Sequence, residues 1–253
     1  MRKRNLSSLT REGVPLIADF NEVDRVQSLR SIAYSKQHAQ THLLYVPIDL
    51  FSPDAAFLFY RKLFSDPKVT KQFRHGNAWS DDEIRKWILD CQTDWKQNGF
   101  GTCVVFKETA EGPQFVGTQN VYRREAGIEV GYAYLGSEQE KGLGKNGAHV
   151  IGGFLSSLII SKKIPWNVEI FATADPENAR SIALLTKHYG MNKCGPTEIN
   201  ATYGKLRTPF SAPLRAYVLQ QRSHNIASLF APGRSSSNAG SPLAVNMQSR
   251  MQL

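Results

Sequence analysis

The stretch from Gly127 to Gly147, GIEVGYAYLGSEQEKGLGKNG, constrains the chain more than any other. It reads as a strand, a polar turn and a glycine-rich bend that opens a helix. Glycines at 142, 144 and 147 fall where that helix begins, so bare backbone N–H groups point outward there. Orphan donors and the helix dipole both favour negative charge at such a place, which makes the bend a phosphate seat.

The surrounding segments limit which fold can hold this bend. His42–Pro47 is a short apolar run ending in proline and predicts a first strand. Ser52, Pro53 and Asp54 give an N-cap, a first-turn proline and a first-turn acid, so a helix follows and stops before Asp66-Pro67. Ser80 and Glu83 fit a capping box ahead of Ile84, Trp87, Ile88, Cys91 and Trp95 at helical spacing, and Gly99 supplies the stop. Trp87 and Trp95 read as core.

Thr102–Lys107, Gln114–Val121 and Gly127–Leu135 are strand-like with short connections, which implies an antiparallel meander, with a turn at Gly112-Pro113. Gly131 is consistent with a bulge in the third of these. An apolar helix then runs from the bend to about Ser161, and Asn167–Thr173 is a further strand. Strand, helix, strand makes a parallel crossover pair. Asp175-Pro176 opens another helix that runs to about His188. A strand starts near Met191, and Arg215–Gln220 reads as the last one. Ile17–Ile32 has the spacing of an amphipathic helix. Residues 1–42 therefore read as a partly helical extension, 43–222 as one α/β domain, and 223–253 as a disordered basic tail.

Composition narrows the function classes. With 253 residues, 41% apolar and 21% charged, the chain is an ordinary globular one. Its net charge of +9 gathers at the ends, with no acidic residue after Glu198. Three scattered cysteines without a C-x-x-C pair argue for a reducing compartment, and no His, Cys or carboxylate cluster has metal-ligand spacing. No apolar run is long enough to span a bilayer and no secretory signal is visible, so the expected location is the cytoplasm.

Two motifs overlap in the bend. Gly142-Leu143-Gly144-Lys145-Asn146-Gly147 satisfies the dinucleotide pattern G-x-G-x-x-G, but six mostly polar residues separate it from its strand, and repeated strand–helix units are missing before it. Gln139-Glu140-Lys141-Gly142-Leu143-Gly144 also fits Q-x-x-G-x-G. Here the chain resembles the GNAT superfamily of acetyl-CoA-dependent N-acetyltransferases. Asp175-Pro176-Glu177-Asn178-Ala179-Arg180-Ser181 followed by Lys187-His188-Tyr189-Gly190-Met191 is similar to that family's D-P-x-N-x-x-S…K-x-G-F stretch. Ser65-Asp66-Pro67-Lys68-Val69-Thr70 and Glu129-Val130-Gly131-Tyr132 resemble its RimJ/RimL-like branch, which acetylates N-termini of ribosomal proteins. The resemblance covers about residues 43–220.

The resemblance implies a mixed α/β sheet whose fourth and fifth strands, Gly127–Leu135 and Asn167–Thr173, splay apart. It implies acetyl-CoA as co-substrate, with its pyrophosphate on the amides of Gly142, Leu143 and Gly144, beside Gln139, Lys141 and Lys145. The pantetheine arm would lie along Ala133, Tyr134 and Leu135, as an added strand would, and would reach Asn178. Glu129 matches the glutamate of E-x-G-Y and is the candidate base. Many relatives place an acidic tyrosine seven residues after the motif asparagine; Leu185 stands there, and Ser181 is the residue expected at the sulfur. Tyr189 replaces a core aromatic.

The acceptor would be a primary amine, on a protein N-terminus or a small molecule, attacked directly in a ternary complex, with no metal. No nucleic acid or membrane partner is expected, and a homodimer is compatible. A catalytically degenerate acetyl-CoA sensor, kept in view by Leu185, and a nicotinamide-dependent oxidoreductase are the competing readings. The loop from Lys71 to Trp79 would shape the acceptor site.

Overall fold

The computed structural model describes residues 30–34, 40–73, 76–201 and 204–221. Two strands lead, β1 (Arg30–Tyr34) and β2 (Gln40–Pro47), followed by a 3-10 turn at Ile48–Leu50 and helices α1 (Pro53–Phe64), α2 (Pro67–Thr70) and α3 (Asp81–Asn98). Next come β3 (Cys103–Thr109), β4 (Gly112–Arg124), β5 (Gly127–Tyr134), α4 (Leu143–Ile160), β6 (Glu169–Ala174) and α5 (Ala179–His188). Strands β7 (Asn192–Lys193), β8 (Glu198–Asn200) and β9 (Lys205–Pro213) follow, and a final helix α6 covers 214–221.

Eight strands form one sheet in the order β1-β2-β3-β4-β5-β6-β9-β7, and β8 pairs with β9. Among the described strands only β5 and β6 pair in parallel; the other pairings are antiparallel. That is the mixed sheet with one crossover that the segment order implied. It is also unlike the run of parallel strands that a dinucleotide fold needs.

Local chemistry explains most helix ends. Ser52 Oγ caps α1 by accepting from Ala55 N at 3.1 Å. Ser80 and Glu83 close a full capping box on α3, and Gly99 ends that helix in the left-handed region at φ +70°. Helices α1 and α3 cover one face of the sheet. Tyr60 of α1 reaches Thr118 of β4 at 3.1 Å, and Cys91 of α3 reaches Tyr122 at 3.6 Å. Phe64 stacks on Trp79 with centroids 4.0 Å apart, and Trp87 meets both Tyr60 and Phe64 edge-on. Such pairs each add about 0.5–1.5 kcal/mol beyond their burial. Helices α4, α5 and α6 cover the other face, where Tyr45 of β2 bonds Asn146, and Tyr217 of α6 bonds the Ala148 carbonyl.

Several expectations change. The helix foreseen over Ile17–Ile32 meets the described residues only at 30–32, and those are strand β1, paired with β2; its remainder, residues 74–75 of the Lys71–Trp79 loop and the tail from 223 lie outside the described residues. Asp175-Pro176 does not open a helix: it forms a turn, Glu177 N donating to Asp175 Oδ1 at 2.9 Å, and α5 starts three residues later. Arg215–Gln220 is helical, with Leu214, Tyr217, Val218 and Gln221 buried at positions three and four apart. Among the described residues the last strand is β9. The turn before β4 lies at Ala110-Glu111, because Thr109 already pairs with Gly112.

The bulge is also elsewhere. The register of β4 and β5 is continuous across Gly131, opposite Asn120. The shift falls between β3 and β4, where Val105 faces Gly117 and Phe106 faces Phe115, leaving Val116 as the extra residue. Gly117 has φ +157°, and a Cβ there would lie 2.2 Å from the Ala133 carbonyl oxygen. The bulge thus bends β4 beside the last residues of β5.

Candidate functional site

The parallel pair β5 and β6 is joined over only three registers, Gly127 with Glu169, Ile128 with Ile170 and Glu129 with Phe171. Beyond Glu129, β5 continues for five residues and β6 for three past Phe171, with no pairing between them. The strands therefore diverge from Glu129 onward and open a cleft in the middle of the sheet. The backbone that borders this cleft is set by the β4–β5 ladder. Leu135 N donates to Val116 O at 3.0 Å, and antiparallel alternation then turns the groups of Ala133 and Leu135 toward β4. The N–H and C=O groups of Val130, Tyr132 and Tyr134 face the cleft. Of Ala133, Tyr134 and Leu135, only Tyr134 offers its backbone to the cleft, and its carbonyl already accepts from Gln139 Nε2 at 3.1 Å.

At the far end of β5 lies the glycine bend. Side chains cap α1, α2, α3 and α5. Helix α4 is different: Gly142 stands at its N-cap with φ +81°, no side chain caps it, and its first turn holds no acid. Asn146 N closes the first helical bond to Gly142 O at 3.0 Å, which leaves the amides of Leu143, Gly144 and Lys145 as the orphan donors of an 18-residue helix. An uncapped helix start of this kind suits an anion.

The seat is braced from beneath. Tyr134 OH donates to Leu143 O at 3.3 Å, and Tyr45 OH to Asn146 Oδ1 at 2.8 Å. Buried Gln119 donates to Gly131 O at 2.8 Å and to Tyr189 OH at 3.3 Å, and accepts from Tyr134 OH at 3.2 Å. A Cβ on Gly147 would lie 2.2 Å from Gln119 Oε1, so this helix turn can approach β4 only as glycine. Asp66, in the loop before α2, accepts from Gly136 N at 2.7 Å and fixes the exit from β5.

Charge at the bend is arranged differently from what the sequence implied. Glu138, with a side chain 7% exposed, sits between Lys107 and Lys141, each 3.2 Å away. Lys141 therefore spends part of its charge on a buried carboxylate. Lys145 is exposed on the first turn of α4. Glu140 pairs with Arg180 of α5 at 2.6 Å, a solvent-exposed link that adds little stability.

The two candidate catalytic residues lie on opposite faces of the sheet. Glu129 pairs across β4 with Tyr122 and shares its face, toward α3. Its Oε2 accepts from Arg124 Nε at 2.9 Å, and Arg124 also lies 3.9 Å from Asp94 of α3. Oε1 is the oxygen left for another donor. Ser181, on the first turn of α5, lies on the other face, where Tyr132 OH is 2.8 Å from its Oγ. Asn178 is the N-cap of α5, and its Oδ1 accepts from Ser181 N at 3.0 Å, so its amide NH₂ is what it can offer the cleft. Leu185 is 1% exposed and packed in the core. Tyr189 is fully buried and stacks on Tyr217 at 5.3 Å, a core position as expected.

Tyr132, Gln119, Glu138 and Asp66 were given no role on sequence grounds. Tyr132 and Asp66 stand inside motifs that were visible, whereas Gln119 and Glu138 carry no local signal beyond an acid three residues before Lys141. Arg207 of β9 ties the loop after α2 to β6. It donates to Thr173 O at 2.7 Å and to Gln72 O at 3.2 Å. Among the described residues no group of three or more His, Cys, Asp or Glu could hold a metal ion, and no helix is long and apolar enough to cross a membrane.

Residues 45–192 match the family model described as an acetyltransferase (GNAT) domain. Among curated proteins, none matches the chain in sequence. Solved structures share the fold. A GNAT-family acetyltransferase from Bacillus anthracis is 17% identical with a TM-score of 0.51, covering 73% of this chain and 99% of its own. An acetyltransferase from Agrobacterium tumefaciens is 12% identical with a TM-score of 0.52, covering 72% and 94%. RimJ of Mycobacterium smegmatis, solved with a CoA disulfide, is 14% identical with a TM-score of 0.52, covering 78% and 93%.

Proposed function

The chain belongs to the GNAT acetyltransferase family, and from that premise we propose that it transfers the acetyl group of acetyl-CoA to a primary amine by direct attack in a ternary complex. The observation that carries this reading is the pairing of a diverged β5–β6 cleft with the uncapped N-terminus of α4 at its end. The resemblance of the SDPKVT and EVGY segments to the RimJ/RimL-like branch favours a protein N-terminus as acceptor; small-molecule amines are the alternative acceptors.

Acetyl-CoA supplies an activated thioester. The amides of Leu143, Gly144 and Lys145 hold its pyrophosphate, with Lys145 adding charge and Lys141 adding less. Gly142 provides the left-handed turn that aims those amides, and Gln139 anchors the bend to Tyr134 O. The cleft-facing backbone of Tyr132 and Tyr134 and the Asn178 amide line the arm. Glu129 Oε1 accepts the proton of the amine from the α3 face. The Ser181 hydroxyl serves the departing sulfur from the α5 face. Divergence of the strands makes this possible, because a closed sheet would separate two groups on its opposite faces.

Two observations favour a second reading. Leu185 in the core and Arg124 on Glu129 are what a catalytically degenerate acetyl-CoA sensor would also show. Such a sensor binds acetyl-CoA and releases no thiol with any amine.

The substitution Lys145→Glu tests the seat. An acid on the first turn of an uncapped helix favours the dipole, so the melting temperature is expected to hold or to rise slightly. The same acid beside a pyrophosphate repels it, and acetyl-CoA affinity is expected to fall about tenfold or more. Calorimetric titration checks both signs against unfolding curves. Unchanged affinity would remove the pyrophosphate from this helix end.

A further inference from the structure

From β5, Tyr132 turns its side chain to a candidate catalytic residue. Its hydroxyl lies 2.8 Å from Ser181 Oγ, across 49 residues of sequence. Each neighbour of this contact is fixed. The Tyr132 ring lies against Tyr134 with centroids 6.2 Å apart and 28° between planes, and Tyr134 is itself held by Leu143 O and Gln119. The Ser181 backbone is held by the Asn178 cap, which leaves the χ1 rotor of serine as its free motion. Leu185, the position where many relatives carry an acidic tyrosine, is in the core.

Two hydroxyls in contact share one hydrogen bond and hold two hydrogens. One hydrogen is spent between them, and the other is left to point elsewhere. We propose that Tyr132 is a positioning residue for Ser181, so that the pair presents one oriented O–H to the sulfur that leaves acetyl-CoA. This inference rests on the acetyltransferase reading and on the role of Ser181 within it. The O–H stabilises the developing thiolate as a hydrogen-bond donor, and no bond breaks in either hydroxyl. Solvent supplies the proton that the free thiol finally carries. Burial pushes the Tyr132 hydroxyl up to about 12, so at neutral pH it keeps its hydrogen and remains a donor. Ser181 thus stands one turn of α5 before Leu185, which offers no proton.

The test is a double-mutant cycle of Tyr132→Phe and Ser181→Ala, with kcat and acetyl-CoA affinity measured for each. Phenylalanine keeps the ring contact with Tyr134 and removes only the hydroxyl. Tyr132→Phe is expected to lower kcat about tenfold while acetyl-CoA affinity stays within about twofold. In the Ser181→Ala background the same change is expected to cost nothing further, because the two hydroxyls act as a unit. Three results would overturn the inference alone: unchanged kcat in Tyr132→Phe beside an impaired Ser181→Ala, an equal loss in both backgrounds, or a loss of acetyl-CoA affinity that matches the loss of turnover. Absence of turnover in the unmodified protein with every amine would overturn the acetyltransferase reading, and this inference with it.

Discussion

Glu129→Gln is expected to lower kcat about a hundredfold or more near neutral pH while acetyl-CoA affinity is retained. Removing a positioned proton acceptor commonly costs 10²–10⁴ in rate, about 3–5 kcal/mol of barrier. Glutamine has the shape of glutamate, and its carbonyl oxygen can still accept from Arg124 Nε, the bond that occupies Oε2 at 2.9 Å. The link from β5 through Arg124 toward Asp94 of α3 therefore survives, and the variant isolates the proton-accepting oxygen. The proposed pyrophosphate seat lies at the opposite end of β5, so binding of acetyl-CoA is expected to hold. A purely structural ion pair predicts a different pattern, a change in unfolding temperature with turnover intact. Steady-state kinetics beside a thermal unfolding curve separates the two, and intact turnover would remove Glu129 from the chemistry.

Gln119→Leu is expected to be the most damaging single change to the fold of the site, at about 2–4 kcal/mol. Gln119 is 1% exposed and serves three partners on β5 and beyond α5: the Gly131 carbonyl, the Tyr134 hydroxyl and the Tyr189 hydroxyl. Leucine removes all three bonds and leaves the Tyr189 hydroxyl, which is fully buried, without this donor. The branched end also presses on Gly147, where the carboxamide already fills the space of a Cβ. Because Tyr134 links Gln119 to Leu143, the first turn of α4 shifts with it, and acetyl-CoA affinity is expected to fall as well. Urea unfolding measures the first effect and titration of the folded fraction the second. A loss below about 1 kcal/mol would mean that water replaces the carboxamide in this core.

Local signals made the helices legible. Ser52, the Ser80–Glu83 box and Gly99 stand next to the ends they define, and each does so by bonds within four residues. Helix α6 shows the limit of judging a short segment by its apolar content. Arg215–Gln220 reads as a strand over six residues, yet Leu214, Tyr217, Val218 and Gln221 repeat with the helical period once the window is widened. Strand β9 was hidden by Pro209 and Pro213, although Thr208, Phe210 and Ala212 alternate toward the core.

The site divides along the same line. The glycine bend, Asn178 and Ser181 are legible because their motif spacing is local, and the structure brings Ser181 and Asn178 together at one helix start. The orientation of Ala133 and Leu135 depends on which residues of β4 they face. Likewise, Gly131 marks no bulge, because the shift in register is settled between β3 and β4 at Val116. Glu138 between two lysines, and Tyr132 against Ser181, join residues that are 31 and 49 positions apart in their longest links. No window along the chain contains both members of either contact.

The central claim is that the cleft between β5 and β6, ending at α4, binds acetyl-CoA and delivers its acetyl group to an amine. The most direct measurement follows thermal unfolding with acetyl-CoA and separately with NAD(H), then thiol release from acetyl-CoA with peptides whose N-terminus is free or blocked. The account predicts stabilisation by acetyl-CoA and not by NAD(H), with thiol released only when a free amine is present. Stabilisation by NAD(H) alone, or acetyl-CoA binding without thiol release for any free amine, would contradict it.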